Sequence, residues 1–233
     1  MNKHFIVPEG DVLISFSGGR TSGFMLHQIL EANNGLPDKA KVVFANTGRE
    51  MPETLDFVQE CSERWSVPIT WLEYTRKNNR VNFNVVNHNS ASRNGEPFKR
   101  LIYKPYLPNI ARRFCTEQLK DNRWFNWYPL NDAKLSKLNV MNFWNKQSFD
   151  LKIMRGAGNC DGCFLKSEAT LAAMFRLHPD RMQWWVEMEN QVNASFHKSR
   201  TYSGLQSFVQ QQQDWIFDDE NFLCQADDGE CTD

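Results

Sequence analysis

The stretch "DVLISFSGGRTSGFMLHQIL", residues 11–30, decides the fold. Its first six residues have the short apolar pattern of a buried strand, and "TSGFMLHQILEANNG" reads as an amphipathic helix closed by Gly35. Between them stand Gly18, Gly19 and Arg20, together with four hydroxyl residues, Ser15, Ser17, Thr21 and Ser22. A glycine-rich turn between a strand and a helix lets the backbone approach a phosphate. The uncapped amide groups and the helix dipole then favour its negative charge. Hydroxyls add donors, and Arg20 adds a charge-assisted one. The same residues also suit a tight turn capped by Ser17, and the stretch alone leaves both readings open. The spacing is neither that of a Walker A loop nor that of G-x-G-x-x-G.

Working outward, "KVVFAN" (41–46) is a second strand, and "MPETLDFVQECSERW" is a helix with Pro52 in its first turn. "PITWLEY" (68–74) is a third strand. Strand, helix, strand, helix and strand with short connections predict an α/β fold: a parallel sheet flanked by helices, with right-handed crossovers. From Thr75 to about Asn109 the chain is polar and rich in asparagine, which predicts a long irregular segment, functional or disordered. Helices are then expected over 111–128, within 136–151, over 168–179 and over 180–192. The organisation expected is a nucleotide-binding domain over 1–130, a cysteine-containing helical extension over 131–210 and an acidic, mobile tail over 211–233.

The 233 residues include 8 Trp and 17 Phe, enough for a packed core in one domain with an appendage. The N-terminus lacks a signal-peptide pattern and no 18-residue apolar run occurs, so a cytoplasmic protein without a membrane partner is expected. In that reducing compartment the six cysteines favour metal ligation or redox chemistry over structural disulfides. The net charge of −1 is unevenly spread: residues 92–123 are basic, while the chain beyond Arg200 carries no Lys or Arg. A basic middle suits phosphate or nucleic-acid ligands, and equally an ordinary solvated face.

"SFSGGRTS" resembles the PP-loop of the adenine nucleotide alpha-hydrolase superfamily, a Rossmann-like fold. "FANTGREMPETLDFV" (44–58) resembles the second motif of its phosphoadenosine phosphosulfate (PAPS) reductase branch, where "DTG" ends a strand and "PET" opens a helix. "RRFCTEQLK" (112–120) looks like that branch's "CCxxRKxxP" segment with one cysteine lost. "GNCDGCFLK", followed by the helix around "WWVEME", is similar to phage and bacterial PAPS-reductase-like proteins. The resemblance implies that residues 15–22 cradle phosphate, with Arg20 also a catalytic candidate. It places Asn46, Thr47, Gly48 and Glu50 beside the adenosine of PAPS, APS or ATP, with Mg accompanying ATP. Three departures stand out: Thr21 replaces the loop's Asp, Asn46 replaces the Asp of "DTG", and no "GIRxxE" segment follows the "CT…LK" helix.

Cys160 and Cys163 form a C-x-x-C whose thiolates can share one metal or cluster. A [4Fe–4S] cluster, a structural zinc and a thioredoxin-type dithiol are the readings. The resemblance favours the cluster and supplies Cys115 as third ligand, with Cys224 as the candidate fourth. It also implies a nucleophilic thiol near the C-terminus, for which Cys231 in "GECTD" is the candidate. Its acidic neighbours oppose thiolate formation unless the basic segment around Arg113 and Lys120 receives the tail. Cys231 as the fourth cluster ligand is the competing reading. Cys61 and His27 are expected in the core, and His88 in a polar loop. Lys166 either offsets cluster or phosphate charge or faces solvent. The tryptophans at 184–185, with Trp124, Trp127 and Trp144, are expected to pack rather than stack on bases.

Three functions follow. The first is an enzyme reducing a sulfonucleotide with a thiol donor such as thioredoxin. The second is an ATP-dependent, pyrophosphate-releasing sulfurtransferase acting on tRNA or DNA. The third is a nucleotide-binding regulator without catalysis. Oligomers are compatible with all three.

Overall fold

The computed structural model describes residues 3–78, 80–102, 106–109, 126–154, 156–197 and 200–211. Four strands, β1 (Val12–Ser15), β2 (Ala40–Asn46), β3 (Ile69–Lys77) and β4 (Arg80–Val86), form one sheet in the order β1-β2-β3-β4. β1 and β2 pair in parallel with Ile14 beside Val42, and β2 and β3 pair in parallel with Phe44 beside Trp71. α1 (Arg20–Asn33) and α2 (Pro52–Arg64) make the two crossovers, as the alternation of sequence patterns predicts.

The helix signals act locally as expected, with one shift. Pro52 opens α2, where its missing N–H removes nothing that a helix would use. α1 ends on Asn34, in the left-handed conformation at φ 56, one residue before Gly35. The amides of both residues bond to the carbonyl of Leu30.

The expectation of an irregular segment from Thr75 onward is corrected. β3 runs on to Lys77, the chain turns with Asn78 at φ 53, and β4 returns antiparallel with Tyr74 opposite Phe83. α3 (Glu96–Leu101) follows. Polarity concealed β4 because the strand is largely exposed, so it lacks the strongly apolar face of a core strand.

Beyond these lie α4 (Pro129–Asp132), α5 (Lys137–Trp144), α6 (Glu168–Leu177), α7 (Pro179–Val192) and α8 (Tyr202–Gln211). The C-terminal part of the described chain is thus helical. Two hydrophobic cores form. One joins the sheet to α1, α2 and α5 through residues such as Ile14, Val42, Phe44, Phe57 and Trp144. The other joins α6, α7 and α8 around Met174, Trp185, Phe196 and Tyr202, and includes Met51 and Phe98. Packing therefore crosses residue 130 in both directions. Trp144, 2% exposed, also donates its Nε1–H to the carbonyl of Arg20, which ties α5 to the first residue of α1. Among the described residues no helix is long and apolar enough to cross a membrane.

Candidate functional site

The turns after β1 and β2 leave the same, C-terminal edge of the parallel sheet, where α/β folds place ligands. In the first turn Gly18 takes φ 80 and lies flat on the core. A Cβ there would come 2.8 Å from Thr54 Cγ2 and 3.2 Å from Phe44. Only glycine meets both demands. Gly19 is the N-cap of α1 and no side chain caps it, so the opening amides of the helix keep their outward direction. Ser17 Oγ donates to Ser22 Oγ at 2.9 Å, and Ser22 Oγ donates to the Gly19 carbonyl at 3.0 Å. These two hydroxyls shape the loop, and Ser17 does not act as the helix cap. Ser15 is exposed and Thr21 half-buried.

Thr54 packs under this loop at the start of α2; among the described residues its buried hydroxyl has no hydrogen-bond partner, nor has one buried carboxylate oxygen of Glu53. A buried polar atom without a partner costs about 1–3 kcal/mol. Sequence reasoning missed both residues, although "PET" holds them.

The Arg20 side chain is engaged by the segment that follows α5. Its guanidinium forms a two-pronged pair with Asp150 at 2.8 and 2.9 Å, and also donates to the Leu151 carbonyl.

The second turn, residues 46–50, is internally bonded. Asn46 Nδ2 donates to Glu73 Oε1 at 2.7 Å and to the Ser92 carbonyl, while its Oδ1 accepts from Gly48 N–H. Glu73, 4% exposed, also accepts from the amide and hydroxyl of Ser92. An Asp at position 46 would set two buried carboxylates face to face, which gives a physical reason for the asparagine. Thr47 donates through its amide and hydroxyl to Glu50, whose carboxyl burial pushes up from its ordinary range.

The C-x-x-C loop docks onto this turn. Cys160 makes an antiparallel bridge with Glu50, Asp161 N–H donates to the Arg49 carbonyl, and Cys160 Sγ lies 3.3 Å from Thr47 Oγ1. Between the cysteines, Asp161 is fully buried and accepts from five donors. Two come from Arg49, one from Arg181 Nε at 2.7 Å, one from Trp185 Nε1 at 2.6 Å and one from Gly162 N–H. Arg181 also donates to the Glu50 carbonyl. Burial pulls the Arg49 guanidinium down, and the neighbouring Asp161 opposes that shift. Gly162 is required by contact, because a Cβ there would lie 2.4 Å from Trp185. This clasp was not foreseen from sequence. Arg49 lies 112 residues from Asp161, and only the assembled fold brings it there.

Cys160 and Cys163 are half-buried thiols on one tight turn, with Cys163 N–H donating to the Cys160 carbonyl. They offer two thiolates for a metal or cluster. Among the described residues no group of three potential ligands assembles, and Asp161 is fully engaged elsewhere. Cys115, Cys224, Cys231, Arg113 and Lys120 lie outside the described residues. Lys166 is buried and donates to the carbonyls of Gly156 and Gly158, so it staples its own loop and does not face solvent. Cys61 is buried, and burial pushes its thiol up. His27 packs against Trp65 and Phe143. Trp185 is wholly buried, and Trp184 lies over the Arg49 guanidinium.

Comparison with known proteins supports the family resemblance. Residues 11–101 match the phosphoadenosine phosphosulfate reductase domain family. The chain is 27% identical over 192 residues to an uncharacterized nin region protein of Escherichia phage lambda, an alignment covering 66% of each chain. It thus spans just under two thirds of that relative's length. No solved structure matches.

Proposed function

We propose that this chain binds an adenine nucleotide at the C-terminal edge of its sheet and acts on a sulfonucleotide, PAPS or APS. The observation that carries this reading is the pairing of the uncapped α1 N-terminus with the buried, unpartnered Thr54 hydroxyl beneath Gly18. The opening amides of α1 offer donors where the family holds phosphate, and the Thr54 hydroxyl, on a residue packed under Gly18, has no partner among the described residues. Residues 15–22 then take the phosphates. Asn46, Thr47, Gly48 and Glu50 border the adenosine through their backbone, because their side chains bond to one another and to Glu73.

In the reductase reaction a thiolate attacks the sulfonate sulfur, the sulfur–oxygen bond to the phosphate breaks, and the nucleotide leaves with that electron pair. A second thiol, from a donor such as thioredoxin, then attacks the sulfur-bearing thiol. A disulfide forms and sulfite departs. Cys231 is the candidate first nucleophile. Cys160 and Cys163 would supply two ligands to an iron–sulfur cluster, or alternatively to zinc, with Cys115 and Cys224 as the other candidates. Such a group would cross-link the segments that carry its ligands.

Calorimetric titration with PAPS, APS and ATP tests the reading, with T54V beside the native chain. The expected result is sulfonucleotide binding about tenfold weaker in T54V, equivalent to about 1.4 kcal/mol. Absence of binding by any of the three nucleotides overturns it. Pyrophosphate release from ATP with tRNA or DNA would move the chain to the sulfurtransferase class. Binding without sulfite release would make it a regulator.

A further inference from the structure

β4 ends the sheet among the described residues, and its sequence from Val81 to Val85, V-N-F-N-V, is a palindrome about Phe83. Val81 is 46% and Val85 73% exposed, and both lie on one face with Phe83, since alternate strand residues share a side. The hairpin fixes which backbone groups face outward. A two-residue connection closes on Lys77 opposite Arg80, and Asn78 has the positive φ that type I′ turns use. The closing pair of such a hairpin is hydrogen-bonded, so Arg80, Asn82, Asn84 and Val86 bond inward to β3. The amides and carbonyls of Val81, Phe83 and Val85 therefore point away from the sheet. Natural edge strands are commonly blunted by proline, lysine or a bulge, and nothing of that kind stands between Val81 and Val85.

We propose that the β4 edge is a homodimer seam, in which β4 of a second copy pairs antiparallel across a two-fold axis at Phe83. In that register Phe83 faces Phe83 of the second copy, Val81 faces its Val85, and Asn82 faces its Asn84. Every outward backbone group then meets another, because the three pairs that must exchange hydrogen bonds are built from the three residues that face outward. The exposed valines cover one another, and like residues pair as an isologous interface requires. Charge favours the antiparallel sense. Arg76, Lys77 and Arg80 cluster at the hairpin tip, and antiparallel pairing carries the two tips to opposite ends of the seam. Parallel pairing would bring them together. The two four-stranded sheets join into one continuous sheet, leaving the turns after β1 and β2 on each copy outside the seam.

Sedimentation of the full chain over a concentration series tests this. Native protein should approach twice the 27.3 kDa chain mass as concentration rises. V81E and V85K alone should each weaken the dimer at least about tenfold. Both positions are substantially exposed, so far-ultraviolet circular dichroism should be unchanged. The double variant V81E/V85K should restore association, because the two-fold axis sets each new acid against a new base. A native chain that stays monomeric throughout, or a dimer indifferent to both single changes, overturns the seam. A double variant that remains monomeric overturns the antiparallel register.

Discussion

The turns after β1 and β2 leave the same sheet edge but treat their polar groups in opposite ways. In the loop 15–22 the helix start is uncapped, and Thr54, packed under Gly18, has a buried hydroxyl without a partner among the described residues. In the turn 46–50, Asn46, Thr47, Arg49 and Glu50 all bond to protein partners, and the C-x-x-C loop is clasped against them. An unsatisfied buried polar atom calls for an explanation, of which a ligand is one, whereas a satisfied network adds rigidity; Asn159 Nδ2, beside Cys160, is unsatisfied as well among the described residues. Under the proposed function, the contrast separates a loop that takes phosphate from a turn whose side chains hold the cysteines in place and whose backbone alone borders the adenosine.

Substitution at Asp161 gives the largest expected effect. D161N keeps the shape but leaves the buried Arg49 charge uncompensated, which should cost about 3–5 kcal/mol in urea unfolding. Nucleotide affinity of the folded fraction should hardly change. An affinity loss as large as the stability loss would break the distinction, because the clasp would then hold the phosphate loop as well as the cysteines.

G18A comes next. The positive φ and the overlap with Thr54 should together cost about 1–3 kcal/mol and abolish nucleotide binding even where the protein remains folded. Retained binding by calorimetry would remove the loop from the site.

N46D sharpens the scaffold side. The new carboxyl would face Glu73 and ionise less readily in the folded state than in the unfolded one. Such a group removes stability as pH rises through its unfolded value, so the deficit against native protein should be about 1 kcal/mol at neutral pH and shrink on acidification. A deficit that does not vary with pH would mean that Glu73 is not the cause.

The smallest effect concerns His27, within α1. Burial holds its imidazole below the ordinary value of 6.5, so the unfolded chain takes up the proton first and stability falls as pH drops through 6.5. H27L should lose less stability than native protein over that interval. Identical pH profiles for the two would show that α1 does not feel this histidine.

Much of this was legible because it is local. β1 to β3, α1 and α2 announce themselves by apolar runs, by Pro52 and by glycines at a strand end. The phosphate-type loop is a short contiguous motif, and its family resemblance agrees with the match over residues 11–101. β4 was also written in the sequence, as alternation from Val81 to Val85 after an asparagine pair, but its polarity was read as irregularity. Asp161 sits in plain sight between two cysteines, yet nothing beside it in sequence tells that Arg49, Arg181 and Trp185 will surround it. Thr54 escaped notice because what marks it is a partner it does not have.

The clasp also bears on the order of folding. Arg49 and Asp161 are 112 residues apart, whereas the sheet core closes over much shorter spans of chain. Contacts of such separation carry the largest closure entropy and tend to form after local ones, so the clasp should form late, joining two cores already in place. An interaction absent from the transition state slows unfolding without speeding folding. The change in D161N should therefore appear in the unfolding limb of a chevron plot, making Asp161 a determinant of how long the native state persists.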